Sequence, residues 1–103
     1  AVYAPIVESF DTISQLQVSP NGESLVYVKY REGKSEVFLY DLENQEETQL
    51  TNFATYTQNP SWSEDGENII FSSNPSGDFE IYQINHQSIR TSINCHTHLI
   101  NLR

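Results

Sequence analysis

The chain has 103 residues, with 14 acidic and 5 basic side chains and a formal net charge of −9 at pH 7. This length allows one small domain with one hydrophobic core, and the scarcity of Lys and Arg argues against binding to nucleic acid or to an anionic membrane surface. No apolar run approaches the roughly 20 residues that a membrane-spanning helix needs, and the single cysteine excludes an intrachain disulfide framework and a multi-cysteine zinc site.

The composition predicts strands rather than helices. The chain contains no Met and three Ala, whereas β-branched and aromatic residues are abundant. Those residues suit the pleated, half-buried surface of a sheet better than they suit a helix. The absence of Met also indicates that the chain is an excised or processed piece. We therefore expect an all-β fold.

A repeat with a period of 44 residues organises the chain. Shifting the sequence by that distance aligns five identical pairs and, between them, apolar residues with apolar residues. The identical pairs are Ser19 and Ser63, Gly22 and Gly66, Glu23 and Glu67, Gly33 and Gly77, and Glu36 and Glu80. No gap is needed, so we take the repeat as real. Self-similarity at a fixed period is typical of repeat architectures.

Residues 1–10 precede the first complete unit. At the same offset, residues 1–7 correspond to 45–51, the end of that unit. We therefore predict an orphan outer strand, followed by a lead-in, over residues 1–10. Pro5 suits such an edge position, where no backbone N–H has to pair.

The first unit, residues 14–51, is predicted to contain four short strands. Asn21-Gly22 between apolar runs is typical of a hairpin turn, because Gly accepts a positive φ. The continuous apolar run 25–28 predicts a strand that is buried on both faces. The remaining strands are predicted at 36–40 and 47–51.

The second unit, residues 58–95, repeats this order. Asp65-Gly66 marks the turn, and the apolar run 69–71 again predicts a strand that is buried on both faces. Alternating residues at 89–99 predict the outer edge strand, with a helix as the alternative because some apolar residues there have helical spacing. Residues 96–103 form a tail that leaves the repeat.

Four short antiparallel strands in about 44 residues are typical of one blade of a β-propeller. Neighbouring blades cover both faces of each sheet, whereas a sandwich predicts alternation on most strands. The whole chain, residues 1–103, is therefore predicted to be one propeller fragment. It would hold two four-stranded antiparallel blades, an incomplete propeller that association of copies could complete.

Residues 50–82 carry an ordered set of motifs. Leu-Thr-Asn at 50–52 is followed by Asn-Pro-Ser-Trp-Ser-Glu-Asp-Gly at 59–66, an apolar triplet at 69–71 and Glu-Ile-Tyr at 80–82. This order resembles the TolB-type WD40-like β-propeller repeat family, and the resemblance covers roughly residues 14–85. Glu64 stands where the family prefers Pro, and Val18 replaces its Trp in the first unit.

The resemblance implies structural roles for the motif residues, which build turns and contacts between blades. These residues are Ser19, Asn21, Gly22, Trp62, Ser63, Asp65 and Gly66. Trp62 is implied to be a wedge between blades, with a platform for a ligand as the alternative.

Several residues with catalytic chemistry are also open to a structural interpretation. Neither Ser19 nor Ser63 lies in a nucleophile elbow, so each hydroxyl is expected to bond its own turn. Glu64 and Asp65 are consecutive turn residues, and they are not expected to converge on a substrate. We therefore predict no catalytic residue, no cofactor-binding residue and no cofactor.

A short cluster near the C-terminus invites a metal interpretation. Cys95, His96 and His98 lie within four residues, but on a strand the two His share one face while Cys95 points to the other. Zinc needs three or four convergent ligands, so we expect no metal site. The acidic stretch 43–47 is expected to be a solvated turn, with a docking patch for a basic partner as the alternative.

The resemblance implies a non-catalytic protein-interaction scaffold in an exported, often periplasmic, setting, with a protein or peptide as its partner. Two alternatives stay open. Residues 13–22 are similar to the first blade of prolyl-oligopeptidase-family peptidases, in which a propeller gates a separate hydrolase domain, and such a propeller can also be the sensory domain of a membrane-anchored regulator. No nucleic-acid partner and no membrane insertion are expected. Two isolated blades leave two apolar faces in water, so we expect a homo-oligomer, a dimer or a trimer.

Overall fold

A computed structural model describes residues 4–7, 11–75, 77–86 and 99–101 of the chain, the last three by their backbone alone. Eight strands form two four-stranded antiparallel sheets, with the strand orders β1-β2-β3-β4 and β5-β6-β7-β8. The strands are β1 (Thr12–Val18), β2 (Ser24–Arg31), β3 (Lys34–Asp41), β4 (Glu46–Gln49), β5 (Thr57–Trp62), β6 (Asn68–Ser73), β7 (Glu80–Asn85) and β8 (Leu99–Asn101). The predicted all-β fold with two four-stranded antiparallel blades is confirmed.

The central hairpin of the first sheet sets the register of that sheet. Strands β2 and β3 pair along their whole length, from Ser24 opposite Asp41 to Arg31 opposite Lys34. Their two-residue turn has positive φ at both positions, 52° at Glu32 and 79° at Gly33. Positive φ at both central residues defines a type I′ turn, whose twist matches that of the flanking strands.

The two sheets pack face to face and share one hydrophobic core. Because directly paired residues lie on the same face, the register decides which side chains enter this core. The first sheet contributes Val26, Val28, Val37 and Leu39, and the second contributes Ile69, Phe71, Tyr82 and Ile84. Leu50, in the connection between the sheets, completes this shared core.

Each sheet therefore has a second side, which we call its outer face. The outer face of the first sheet carries Leu25, Tyr27, Phe38 and Tyr40, and that of the second carries Ile70, Ser72, Ile81 and Gln83. Tyr27 is buried, and its hydroxyl donates a hydrogen bond to Glu47. Burial first, and then the bond to the Glu47 carboxylate, raises the pKa of Tyr27 above its usual range, so the hydroxyl keeps its proton.

The expectation of burial on both faces is correct for one inner strand and wrong for the other. Residues 24–28 of β2 are all buried. In β6, Ile69 and Phe71 are buried, whereas Ile70 and Ser72 between them are half-buried. The physical reason lies on the outer faces: Tyr27 stacks on Phe38 and bonds Glu47 on the first sheet, whereas β6 has only the small Ser72 and the exposed Ile81 beside it on the second.

The second outer strand lies later in the chain than the repeat predicted. Gln49 of β4 pairs with Phe38, and Asn101 of β8 pairs with Tyr82. These outer strands are therefore 52 positions apart, because the connection before β8 is eight residues longer. The outer strand thus falls in the predicted tail, 96–103, and the second blade extends beyond the predicted boundary at 95. The alternating residues 89–98 lie outside the described residues.

The orphan strand predicted over residues 1–10 is not present in its described part. Residues 4–7 form no strand. Instead Ala4, Pro5 and Ile6 line a cavity of about 320 Å³ with Tyr40 and Gln45 of the first sheet. A segment with Pro in it has fewer backbone donors to offer to a sheet edge, which favours packing over pairing.

Buried hydroxyl groups tie the two sheets together. The Ser35 Oγ donates to the carbonyl of Thr57 at 2.8 Å and accepts the Thr57 N–H at 2.9 Å. The Thr57 hydroxyl in turn lies 2.8 Å from the Ser73 hydroxyl. All three side chains are buried, so these bonds satisfy polar groups that water cannot reach.

The Glu36 carboxylate organises the connection from β4 to β5. One oxygen accepts the Thr51 hydroxyl at 2.5 Å and the Phe53 N–H at 3.3 Å, and the other accepts the Ala54 N–H at 2.8 Å. Phe53 is thereby positioned to pack on Tyr82, with ring centroids 5.2 Å apart. The connection thus carries an aromatic ring of its own onto the core.

Replacing Ser35 with Ala should lower the free energy of unfolding by roughly 2–4 kcal/mol, because it leaves the buried N–H and carbonyl of Thr57 without a partner. The matched control is Ser14→Ala. The Ser14 hydroxyl is buried and has no hydrogen-bond partner among the described residues, so its removal should leave stability unchanged or raise it. Urea denaturation of both variants measures the difference, and equal losses would contradict the role assigned to Ser35.

Candidate functional site

The first motif turn is held together by its own side chains. The Ser19 hydroxyl donates to Asn21 Oδ1 at 2.7 Å and accepts the Ser24 N–H at 3.0 Å, while Asn21 Oδ1 also accepts the Glu23 N–H at 3.0 Å. The Gly22 N–H donates to the Ser19 carbonyl at 2.9 Å, and Gly22 has a φ of 75°. A left-handed φ of this kind is the reason for Gly at this position.

The second motif turn repeats this arrangement atom by atom. The Ser63 hydroxyl donates to Asp65 Oδ1 at 2.6 Å and accepts the Asn68 N–H at 3.0 Å, and Asp65 Oδ1 accepts the Glu67 N–H at 3.0 Å. The Gly66 N–H donates to the Ser63 carbonyl at 2.9 Å, at a φ of 73°. Both serine hydroxyls are therefore engaged in turns, and neither is hydrogen-bonded to His86, the His among the described residues.

The two turns differ in one titratable group, Asp65 in place of Asn21. The hydrogen bond from Ser63, followed by the Glu67 N–H, lowers the pKa of Asp65 below its usual value of 3.8. Both bonds favour the charged carboxylate in the folded protein. Their contribution to stability is therefore present above the unfolded pKa and is lost as the pH falls through the lower folded pKa.

Substitutions at Asp65 and Asn21 should change how much stability the fold loses at acidic pH. Asp65→Asn should lose less stability between pH 6 and pH 3 than the unchanged chain, because the group with the lowered pKa is gone. Asn21→Asp should lose more, because it places the same carboxylate among the same donors. Urea midpoints at both pH values are the measurement. Identical pH dependence in the three proteins would exclude the proposed linkage.

Trp62 lies at the contact between the sheets. The half-buried ring packs against the shared core, and its Nε1–H donates to the carbonyl of Gln17 in β1 at 3.1 Å. On the other side its ring meets His86 in an edge-on contact, with centroids 5.1 Å apart. Trp62 thus joins the two sheets in this geometry, and its role as a wedge between blades remains a prediction.

Two amide residues that sequence reasoning missed join β1 and β5, the first strand of each sheet. Gln15 and Asn59 have φ values of 55° and 58°, and each lies in the bulge where its strand shifts register. The Asn59 N–H donates to Gln15 Oε1 at 2.5 Å, and Gln15 Nε2 donates to the Tyr30 hydroxyl at 3.0 Å. They stand 44 positions apart, so extending the repeat alignment to amides, which tolerate positive φ, would have found them.

A cavity of about 330 Å³ opens where the two sheets meet, and we call it the seam cavity. Its lining consists of Leu39, Asp41, Glu43, Asn44, Glu46, Thr48 and His86. The Asp41 carboxylate is already engaged, because it accepts the N–H groups of Glu43 and Asn44 at 3.0 and 3.2 Å. Glu43 and Glu46 are exposed at its rim. The seam cavity can therefore receive a positively charged group. Trp62 lies close to it, because the Trp62 ring contacts His86, which lines the cavity.

The structure shows no metal centre in the part of the chain that it describes, since no group of three or more His, Cys, Asp or Glu side chains there could hold an ion. Cys95, His96 and His98, the cluster considered from the sequence, lie outside the described residues. Searched over the same part of the chain, no helix is long and apolar enough to cross a membrane.

Truncating Trp62 to Ala should lower the free energy of unfolding by about 2–3 kcal/mol, through lost burial and one lost hydrogen bond. Trp62→Phe should cost about 1 kcal/mol, because a ring remains but the Nε1–H donor does not. Tyr56→Ala, at an aromatic side chain that is 46% exposed, is the control and should change stability little. Chemical denaturation ranks the three variants. A Trp62→Ala protein as stable as the control would favour the platform.

Two packed four-stranded sheets with repeated turns and a repeated bulge define a fragment of a β-propeller. The sequence model of the TolB beta propeller domain matches residues 3–100, and the chain belongs to that family. No curated protein matches the chain.

Solved structures agree with this assignment. TolB from Acinetobacter baumannii is similar with a TM-score of 0.65 and 24% identity over 85% of this chain, and a TolB-type protein from Agrobacterium tumefaciens with the same score and identity over 84%. The tricorn protease is similar with a TM-score of 0.68 and 21% identity over 82%. The chain spans 20%, 28% and 10% of those proteins, respectively. Similarity at this level of identity shows the fold alone.

Proposed function

We propose that this chain is a non-catalytic, protein-binding part of a TolB-like β-propeller. The observation that carries the proposal is the use of the motif side chains within the fold. Ser19 and Ser63, the two serines with motif positions, donate and accept within their own turns. Family membership points in the same direction, because the repeat motif builds blades and leaves binding to the surfaces between and around them.

The partner we propose is a protein or peptide segment rich in Lys or Arg, which docks at the seam cavity. A net charge of −9 attracts such a partner from a distance, and the exposed carboxylates of Glu43 and Glu46 lie at the cavity rim. Leu39 supplies an apolar wall for the methylene groups of a long basic side chain. An exported, periplasmic setting is part of the proposal, on the resemblance to TolB proteins.

A second candidate function is the non-catalytic propeller of a peptidase. The similarity to the tricorn protease favours it, together with the resemblance of residues 13–22 to the first blade of prolyl-oligopeptidase-family enzymes. The flanking gene sequence separates the candidates. A downstream α/β-hydrolase region supports the peptidase, further repeats alone support the scaffold, and an upstream DNA-binding domain with a membrane span supports a sensor.

Selection from a library of displayed random peptides tests the scaffold. Basic peptides should be enriched, and their binding should change the fluorescence of Trp62, the only tryptophan. Glu43→Gln with Glu46→Gln should weaken the selected peptides at least about tenfold, because two attracting charges are removed. The control pair Glu64→Gln with Glu67→Gln removes the same charge at the second motif turn and should change binding by less than about threefold.

Two results would contradict the proposed function. One is selection without preference for basic peptides, or equal binding by the two double variants. The other is peptidase or esterase turnover by the isolated chain that a single Ser→Ala substitution abolishes, because that result requires an assembled nucleophile.

A further inference from the structure

We propose that Asn21 is a modification site, where the side-chain amide is converted to a carboxylate without an enzyme, and that the first motif turn controls the rate of this deamidation. Asn21-Gly22 is the only Asn-Gly pair in the chain, and both residues are exposed to water. Among the described residues, no atom beyond its chain neighbours lies within 4 Å of the place where a side chain at Gly22 would begin. The backbone nitrogen of Gly22 is therefore sterically free to react.

The reaction joins two neighbouring groups of the chain and then consumes water. The Gly22 backbone nitrogen, after losing its proton, attacks Cγ of Asn21. An N–Cγ bond forms, the Cγ–Nδ2 bond breaks, and the nitrogen of the amide takes up the proton and leaves as ammonia. Water then adds to one of the two carbonyls of the cyclic imide and breaks its bond to nitrogen. Opening at the side-chain carbonyl gives aspartate, whereas opening at the backbone carbonyl gives isoaspartate, in which the main chain runs through the former side chain.

The closed turn holds both reacting groups in hydrogen bonds. The Gly22 N–H donates to the Ser19 carbonyl at 2.9 Å, so its nitrogen resists losing the proton. The Asn21 Oδ1 accepts the Ser19 hydroxyl at 2.7 Å and the Glu23 N–H at 3.0 Å, and Asn21 Nδ2 donates to Glu23 Oε2 at 3.3 Å. Attack requires free and aligned groups. The turn therefore has to open before Asn21 reacts.

Ser19 is the residue that keeps the turn closed. Its hydroxyl donates to Asn21 Oδ1 and accepts the Ser24 N–H at 3.0 Å, and its carbonyl accepts the Gly22 N–H. Ser19 is only 6% exposed, so water competes poorly for these bonds. Removing the hydroxyl frees the Asn21 amide and takes away the acceptor of the Ser24 N–H. The turn should then open more often while the rest of the fold persists.

The second motif turn shows that an aspartate is accommodated at this position. Asp65 stands 44 positions after Asn21 and accepts the same two bonds, from the Ser63 hydroxyl at 2.6 Å and from the Glu67 N–H at 3.0 Å. In both turns the bonds end on Oδ1, an oxygen that the amide and the carboxylate share. Conversion of Asn21 to aspartate therefore keeps the turn and adds one negative charge to it.

Isoaspartate is not accommodated in the same way, because it lengthens the main chain by one methylene group between Ser19 and Ser24. These two residues bond in both directions across the turn. The Ser19 N–H donates to the Ser24 carbonyl at 2.8 Å, and the Ser24 N–H donates to the Ser19 Oγ at 3.0 Å. Ser24 begins β2 and is 1% exposed, so a displacement there disturbs a buried strand. The two products should therefore differ in stability.

Peptide mass spectrometry during incubation at pH 8 and 37 °C measures the reaction, because deamidation exchanges NH for O. The tryptic peptide 1–29 contains Asn21 as its only Asn. Ser19→Ala should deamidate at least about tenfold faster than the unchanged chain. Ser63→Ala is the matched control, since it removes the same hydroxyl from the second turn and leaves every bond around Asn21 in place. This control should react at a rate close to that of the unchanged chain.

The unchanged chain unfolded in guanidinium chloride is a second measurement that depends on no variant. It should deamidate at Asn21 at least about tenfold faster than the folded chain, because no turn protects the site. Equal rates in the folded and the unfolded chain would overturn the control by the turn. Equal acceleration in Ser19→Ala and Ser63→Ala would overturn it as well, because the reaction would then follow unfolding of the whole chain.

Ion exchange separates the products from the unchanged chain by their additional negative charge, and the Asn21→Asp variant identifies the aspartate product. At pH 7 its urea midpoint should lie close to that of the unchanged chain, because both bonds to Oδ1 remain. The isoaspartate product should unfold at a lower urea concentration. Equal midpoints for the two products would contradict the difference inferred from the bonds between Ser19 and Ser24.

Discussion

Burial of sheet faces is the constraint on which the rest of this structure depends. A four-stranded sheet with apolar side chains on both sides cannot be stable in water unless both sides are covered, because the exposed apolar area would oppose folding. Within the described residues, the chain covers one side of each sheet by packing the two together. Val26 and Ile84 are fully buried in this contact, whereas Ile81 on the far side is half exposed. The far side of the first sheet is better covered, because Tyr27 and Leu25 there are buried.

Directional bonds add orientation to this non-directional packing. The hydroxyl of Ser35 and the backbone of Thr57 bond in both directions, and the Trp62 Nε1–H bonds the backbone of β1. Each bond joins one sheet to the other, so together they allow one relative arrangement of the blades. A buried donor left without its acceptor would cost more free energy than the bond contributes when it is formed. Polar groups therefore specify the geometry that apolar burial stabilises.

Comparing the two repeats distinguishes residues that only build the blade from residues with a role of their own. Ser19 and Ser63 make the same bonds, at 2.7 and 2.6 Å to the turn side chain and at 3.0 Å from the backbone in both, so the motif serves the turn. Residues with a role of their own are expected at positions where the two repeats differ. Glu43 and Glu46 belong to a hairpin whose counterpart in the second sheet is longer, and Phe79 replaces a small buried Ser35. The proposal for a basic partner rests on such a difference.

Local chemistry is the part of this protein that its sequence determined by itself. The Asn-Gly and Asp-Gly turns, the apolar inner strands and the period of 44 residues predicted two four-stranded blades and the motif that holds them, because turn geometry and strand period act over a few residues. Other features depend on residues that are distant in sequence. The tertiary structure alone decided that β8 pairs 52 positions after its counterpart, that Ile70 is only half-buried, and that the Gln15 amide bonds Asn59. Strand pairing and burial depend on the strand or sheet that packs against a segment, and a local sequence pattern does not specify that neighbouring element.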